Sequence, residues 1–199
     1  MLSKLLSLLY YKEENSISVN EIDVSGDKVR LREKYAEDSW NDYVWRADFE
    51  LAELDAAPRL NMPFEQYEKI HKEDLRYPTP RSHKFAVETI EDSIHIGNCM
   101  YYDLDTKQNQ AELGVMIGDR GYWNGGFGSE AVTLLVNYMF QYLELDRIYL
   151  KTLEWNIRAQ RAFKKIGFSQ YGASRQGKYQ FILMELSRED WPEQDKYSL

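Results

Sequence analysis

The pattern of apolar residues begins with one short helical stripe. The residues that share the i, i+3, i+4, i+7 spacing of a helix face are Leu2, Leu5, Leu6 and Leu9. The stripe is far shorter than the roughly 20 apolar residues that span a bilayer, and no convincing small-residue cleavage site follows it. We interpret it as an appended docking helix, with self-association or membrane contact as alternatives.

A strand and two helical patterns come next. Residues 29–32 alternate apolar and polar side chains, which predicts a short strand. Trp40 and Val44 then repeat at helical spacing. Pro63, which a first helical turn tolerates, introduces a second helix.

The middle of the chain alternates in the manner of strands. The candidate strands are residues 84–90, 94–102 and 110–117. Their connections are short and polar, whereas parallel neighbours need crossovers of a dozen or more residues. The sequence therefore predicts an antiparallel meander.

The pattern changes again after Gly128. Residues 131–143 are almost continuously apolar and predict a largely buried helix, and residues 148–153 predict a strand after it. A strand, a helix and a strand in this order are typical of a parallel crossover unit.

The pattern of the C-terminal part predicts one helix followed by one hairpin. Asn156 is a suitable N-cap, and Gly167 follows the end of the stripe as a C′ residue would. Residues 168–174 and 180–186 predict a terminal strand pair.

Composition excludes several classes of function. The formal net charge of −8, without clustered Lys and Arg, argues against nucleic-acid binding and favours cationic partners. The single cysteine, Cys99, rules out an intramolecular disulfide, suits a reducing cytoplasm and is interpreted as a buried strand residue. His71, His83 and His95 are dispersed, so we assign no metal.

The most informative stretch is the glycine-rich segment 120–131, which lies between a strand and a helix. Glycines there permit backbone N–H groups to converge on one anion at a helix N-terminus. The pattern predicts a phosphate or pyrophosphate ligand, and a glycine-rich turn without a ligand is the alternative.

Two other phosphate-binding motifs fit less well. No Gly-Lys-Ser/Thr follows the loop, so a nucleoside-triphosphate P-loop is excluded. Gly126 to Ala131 matches the permissive G-x-G-x-x-A dinucleotide pattern. The antiparallel strands before it and the short chain after it argue against a doubly wound sheet, and an oxidoreductase remains a distant alternative.

Four segments together resemble the GNAT superfamily of acyl-CoA-dependent N-acyltransferases, in particular the branch with ribosomal-protein N-terminal and spermidine acetyltransferases. They are Ala111–Gly114, Tyr122–Ala131, Asn156–Ala159 and Ile166–Phe168. Trp123 stands where the superfamily loop usually has Gln or Arg. Each segment alone is weak evidence, but their order and spacing are specific.

This resemblance implies an α+β fold in one domain. The expected sheet is mixed and mostly antiparallel, with about six to seven strands, helices on both faces and a splayed central strand pair. We expect an N-terminal extension over residues 1–27, the acyltransferase domain over 28–192 and a tail over 193–199.

The resemblance also implies that acetyl-CoA is the cosubstrate and that a primary amine is the acceptor. The residues expected to contact the cofactor are Met116, Ile117, Trp123, Asn124, Gly125, Gly126, Phe127, Gly128, Ser129 and Asn156. The strand from Val115 to Ile117 would bind the pantetheine arm, and a backbone N–H there would polarise the thioester carbonyl. Neither a metal nor a nucleic acid is implied, and a homodimer is left open.

For the chemistry, the resemblance places a base at Glu112, because an ammonium must lose a proton before it attacks. Relatives often have a Tyr where this chain has Phe163, so the general acid is not identified. The acidic residues expected near the acceptor, or on a solvated face, are Asp48, Glu50, Glu53, Asp55, Glu65 and Glu68. A degenerate protein that binds acyl-CoA for regulation or assembly is the alternative to an enzyme.

Overall fold

The computed structural model describes residues 24–191, and within them it has eight strands and five α-helices. The N-terminal leucine stripe lies outside the described residues, and the extension at 1–27 and the tail at 193–199 stay predictions. None of the described helices is long and apolar enough to cross a membrane.

All eight strands form one sheet in the order β1-β2-β3-β4-β5-β6-β8-β7. The strands are β1 Val24–Ser25, β2 Val29–Glu33, β3 His83–Thr89, β4 His95–Asp105, β5 Gln110–Ile117, β6 Arg147–Leu153, β7 Ser169–Gln176 and β8 Tyr179–Ser187. Among these described strands, β5 and β6 form the one parallel pair. The mixed, mostly antiparallel sheet is thus confirmed, and the short β1 brings the strand number above the expectation.

Five helices accompany the sheet: α1 Ser39–Ala47, α2 Phe49–Leu54, α3 Phe64–Arg76, α4 Phe127–Gln141 and α5 Ile157–Ile166. The sequence predicted two helical segments before β3, whereas the structure has three. The break falls at Asp48, which has extended backbone and whose side chain accepts a hydrogen bond from Leu51 N, so that it caps α2.

Helices cover both faces of the sheet. Cys99 is 1% exposed in the core that packs against α4, and this burial raises its pKa. Side chains alternate along a strand, so its neighbour Asn98 points to the opposite face. There Asn98 donates a hydrogen bond to Asp42 on α1.

A buried ionic network fixes α1 to this second face. Lys34, directly after β2, lies 3.0 Å from Asp42 and donates a hydrogen bond to Asn98. Burial opposes the charge of Asp38, but its hydrogen bonds from Arg32 prevail and hold its pKa below the usual range. Removal of one partner would leave a buried charge unpaired, which is costly. The network therefore constrains the position of α1.

The pairing of β5 with β6 stops after three residue pairs. The last pair joins Glu112 to Tyr149, and residues 113–117 of β5 continue without a β6 partner. The two strands therefore separate at the centre of the sheet, which confirms the expected splayed pair.

We expect Gly97→Ala to destabilise the fold by roughly 1–3 kcal/mol, since overpacking against rigid backbone costs about that much. A Cβ at Gly97 would overlap the Met116 carbonyl oxygen and would lie 2.9 Å from Ile117 Cα. Urea denaturation measures the change. Gly172→Ala is the control, because its Cβ would approach the Leu183 side chain no closer than 3.5 Å. Equal stability of the two variants would contradict the expectation.

Candidate acyl-CoA site

A cavity of about 360 Å³ opens where β5 and β6 separate. Its walls are the end of β5, the segment before α4, the first turn of α4, the inner face of α5 and the end of α2. This volume lies in the range of small-molecule and cofactor sites.

The segment before α4 and the first turn of this helix line the cavity together. Gly126 caps the helix with φ of +88°, and Asn124 also has a positive φ of 62°. The N–H groups of the first helical turn lack intrahelical acceptors, and the helix dipole adds positive potential at the same end. The N-terminus of α4 is therefore suited to a phosphate or pyrophosphate group.

Trp123 anchors this segment to the end of β5. Its Nε1 donates a hydrogen bond of 2.7 Å to Ile117 O. The guanidinium of Arg158, from α5, lies 3.8 Å from the ring centroid of Trp123. Trp thus provides a structural anchor at the position where relatives usually have Gln or Arg.

Lys28 supports the same segment from the β1–β2 turn. Its Nζ donates to Gly125 O at 2.6 Å, and its backbone N donates to Glu130 Oε1 at 2.8 Å. These bonds hold the Gly125 carbonyl toward Lys28. No sequence pattern pointed to Lys28, because the turn and the loop are about a hundred residues apart.

The separated end of β5 presents backbone groups to the cavity. Gly118 N donates to Ile96 O on the β4 side, whereas Ile117 O accepts a bond from Trp123 on the opposite side. Backbone groups alternate in direction along a strand, so those of Val115 and Ile117 point toward the cleft. An extended ligand can form hydrogen bonds to these groups, in the way that a further stretch of β6 would pair with β5.

Most residues predicted to contact the cofactor line the cavity. They are Met116, Ile117, Trp123, Asn124, Gly126, Gly128, Ser129 and Asn156. Gly125 and Phe127 do not line it. The side chain of Asn156 accepts a hydrogen bond from Ala159 N at 3.2 Å, so it caps α5 as well as facing the cavity.

Arg158 and Lys165 are cavity residues that sequence reasoning missed. With Ala162 they follow the i, i+4, i+7 spacing of one face of α5, and this spacing was the available signal. Both cations are suited to the phosphate groups of an anionic ligand.

Glu112 is 7% exposed and does not line the cavity. Its Oε1 accepts a hydrogen bond of 2.6 Å from the Tyr102 hydroxyl and lies 3.3 Å from Lys151 Nζ. Burial and the bond to Glu112 raise the pKa of Tyr102, which remains protonated. Glu112 therefore sits at the point of strand separation with its charge already compensated.

The acidic residues of α2 have different surroundings. Asp48 and Glu50 both bind Arg120, at 2.7 and 2.8 Å, and Glu53 lies 2.8 Å from Lys178 in the β7–β8 turn. Asp55 instead lines the cavity. Of the other acidic residues expected near the acceptor, Glu68 pairs with Lys72 along α3, and Glu65 lies in the first turn of that helix.

Phe163 is 7% exposed and forms part of the cavity wall. Its ring packs against Phe168 with a centroid distance of 5.9 Å. An aromatic ring without a hydroxyl thus occupies the position where relatives often have Tyr.

We expect Trp123→Phe to weaken acetyl-CoA binding about 3- to 10-fold, because one hydrogen bond contributes about 0.5–1.5 kcal/mol and its loss loosens the segment. Isothermal titration calorimetry measures the Kd. The matched control is Trp191→Phe, which removes a hydrogen bond from Nε1 to Asn137 away from the cavity. An unchanged Kd in Trp123→Phe would show that this anchor does not shape the site.

Comparisons with known proteins agree with this geometry. Residues 28–169 match the family model for the acetyltransferase (GNAT) domain. The chain is 32% identical over 95 residues to an uncharacterized N-acetyltransferase, p20, of Bacillus licheniformis, an alignment that covers 48% of this chain and 53% of the relative. It is 30% identical over 82 residues to a spermine/spermidine N(1)-acetyltransferase of Bacillus subtilis, covering 39% and 54%. The chain thus spans about half the length of these curated relatives.

The fold also matches solved structures. A spermidine N-acetyltransferase from Vibrio cholerae, solved in complex with CoA and spermine, superimposes with a TM-score of 0.72 at 18% sequence identity, covering 81% of this chain and 96% of that one. The resemblance inferred from the four sequence segments is confirmed. The chain belongs to the GNAT family of acetyltransferase domains.

Proposed function

We propose that this chain transfers an acetyl group from acetyl-CoA to a primary amine by direct attack in a ternary complex. The observation that carries the proposal is the cavity at the strand separation, with the N-terminus of α4 on one side and free backbone groups of β5 on another. An anion site beside an open strand edge suits a long ligand that ends in a phosphate-rich group.

In this proposal, the backbone N–H groups of residues 124–129 hold the cofactor's pyrophosphate. Val115 to Ile117 bind the pantetheine arm, and one of their N–H groups polarises the thioester carbonyl, as oxyanion-type donors do. Arg158 and Lys165 neutralise phosphate charge at the cavity.

The acceptor is proposed to be cationic, with a protein N-terminus and a small polyamine as candidates. The acidic net charge favours such partners over anions. Glu112 stays the base predicted from the resemblance, and its position at the last β5–β6 pair supports that role, although Lys151 and Tyr102 already engage it.

A protein that binds acyl-CoA without catalysis is the second candidate. The observation that favours it is Phe163, which provides no proton donor in the cavity wall. Measurable acetyl transfer to any amine would exclude this candidate.

We expect acetyl-CoA to bind with a Kd in roughly the micromolar range and Gly126→Val to abolish this binding. The Val side chain would crowd the pyrophosphate, and a β-branched residue at φ of +88° is strained. Calorimetry measures binding, and thermal melts confirm that the variant is folded.

The control for this experiment is Gly172→Val in β7, where a side chain has room. Retained binding in the Gly126 variant, or no binding by the natural chain, would contradict the proposed function.

We expect Phe163→Tyr to leave kcat unchanged or to raise it, because a hydroxyl there can only add a proton donor for the departing thiolate. The assay follows release of free CoA thiol at saturating acetyl-CoA. A loss of kcat greater than about tenfold, with cofactor affinity intact, would show that this wall tolerates no polar group.

A further inference from the structure

Asp55 differs from the other acidic residues around the cleft in that, among the described residues, no cation forms a salt bridge with it. Asp48 and Glu50 bind Arg120, Glu53 binds Lys178, and Glu112 is paired with Lys151. Throughout the described range 24–191, neither a hydrogen bond nor an ion pair reaches the side chain of Asp55. It is therefore the cavity carboxylate that is free to receive an external cation.

The fold directs Asp55 toward the reactive part of the cleft. It is the C-cap of α2 and lines the same cavity as Val115, Met116 and Phe163. Asp55 and Met116 also share a narrow second pocket behind α2. Asp55 thus borders the same spaces as the strand segment proposed to hold the thioester.

The surroundings of Asp55 suit a proton acceptor. Its side chain is exposed to the cleft, while the nearby walls desolvate it and raise its pKa above the usual range. Arg46 from α1, Lys84 from β3 and Lys151 from β6 act in the opposite direction. The charge of Asp55 also acts on Tyr102, and Arg158 and Lys165 of α5 line the same cavity as Asp55.

We propose that Asp55 binds the acceptor's ammonium and takes its proton, and that the acceptor is a primary amine with a single positive charge in the cleft. This inference rests on the proposed function, narrows its substrate class, and replaces Glu112 as its base by Asp55, because Glu112 is paired with Lys151 and Tyr102 and does not line the cavity. A second ammonium of a polyamine would compete with Lys151, Arg120 or Lys178 for carboxylates that these residues already occupy.

The acetyl transfer needs no reactant other than acetyl-CoA and the amine. The ammonium gives one proton to the Asp55 carboxylate, and the neutral amine attacks the thioester carbonyl. The C–N bond forms, the C–S bond breaks, and the thiolate takes the proton that the new amide nitrogen loses. Asp55 then returns its proton to water, to which its side chain is exposed.

The first experiment compares Asp55→Asn with the natural chain. We expect kcat to fall about 100-fold or more, which is the usual contribution of a general base, while the Kd of acetyl-CoA stays unchanged. A base must be deprotonated, so kcat/KM of the natural chain falls as pH drops through the pKa of Asp55. In the Asp55→Asn variant, kcat/KM does not fall in this way at low pH. The Asp55→Glu variant restores part of the activity.

The matched control is Glu65→Gln on α3, which removes the same charge outside the cavity and keeps the activity. Full activity in Asp55→Asn would overturn the proposal. If the fall of kcat/KM at low pH disappeared in Glu112→Gln alone, this result would also overturn the proposal and would assign the base to Glu112.

The second experiment tests the acceptor class. Pentylamine and 1,4-diaminobutane have equal numbers of heavy atoms but one and two amines, and spermidine and a serine tripeptide amide with a free N-terminus complete the panel. We expect kcat/KM for pentylamine to equal or exceed that for the diamine, and the peptide to exceed spermidine. A tenfold preference for the polyamines, or no transfer to any of these amines, would overturn the inference.

These outcomes are distinguishable from failure of the proposed function. If acetyl-CoA does not bind the natural chain in calorimetry, the proposed function itself fails. If acetyl-CoA binds and transfer is insensitive to Asp55, only the assignment of the base and acceptor fails.

Discussion

The end of hydrogen bonding between β5 and β6 is the constraint on which the site depends. A parallel pair normally continues along both strands, and here it ends at Glu112 and Tyr149. The segment of β5 beyond this point keeps its bonds to β4 as far as Ile117, so it stays extended while its other edge is open. The open edge and the cavity are consequences of one interrupted ladder.

The wall opposite this edge depends on the ionic network under α1. Lys34, Asp42 and Asn98 are buried and hydrogen-bonded, and they fix α1 against β2 and β4. Trp45 of α1 packs against Gly118, where any side chain would overlap its indole. Because α2 begins at Asp48, directly after α1, this packing also determines where α2 ends and hence where Asp55 lies.

Local sequence patterns predicted the elements that surround the cavity, because the signals there are local. The bounds of β5 agree with the prediction at both ends, and Asn156 caps α5 as expected. The break at Asp48 was missed, since apolar spacing continues through it and only the cap distinguishes two helices. Gly125 and Phe127 were predicted to contact the cofactor, but they do not line the cavity.

Long-range pairing could not be predicted in the same way. Asp48, Glu50, Glu53 and Asp55 look alike in the sequence, and partners 70 to 125 residues away decide which of them is free. The histidines that seemed dispersed behave similarly: His71 and His95 approach Asp42 and Asp38 of one network. Such roles depend on which elements the fold brings together.

The proposed use of a helix N-terminus in place of a lysine-rich loop to bind the anion has a consequence for the whole surface. Backbone dipoles attract an anion at short range without adding net charge, and their field is felt mainly within the first turn. The chain can therefore keep its charge of −8, whose long-range field draws cations toward it. In the proposed function, two oppositely charged substrates are therefore recognised at different distances: the field of the surface guides the amine, and contact with α4 holds the polyanion.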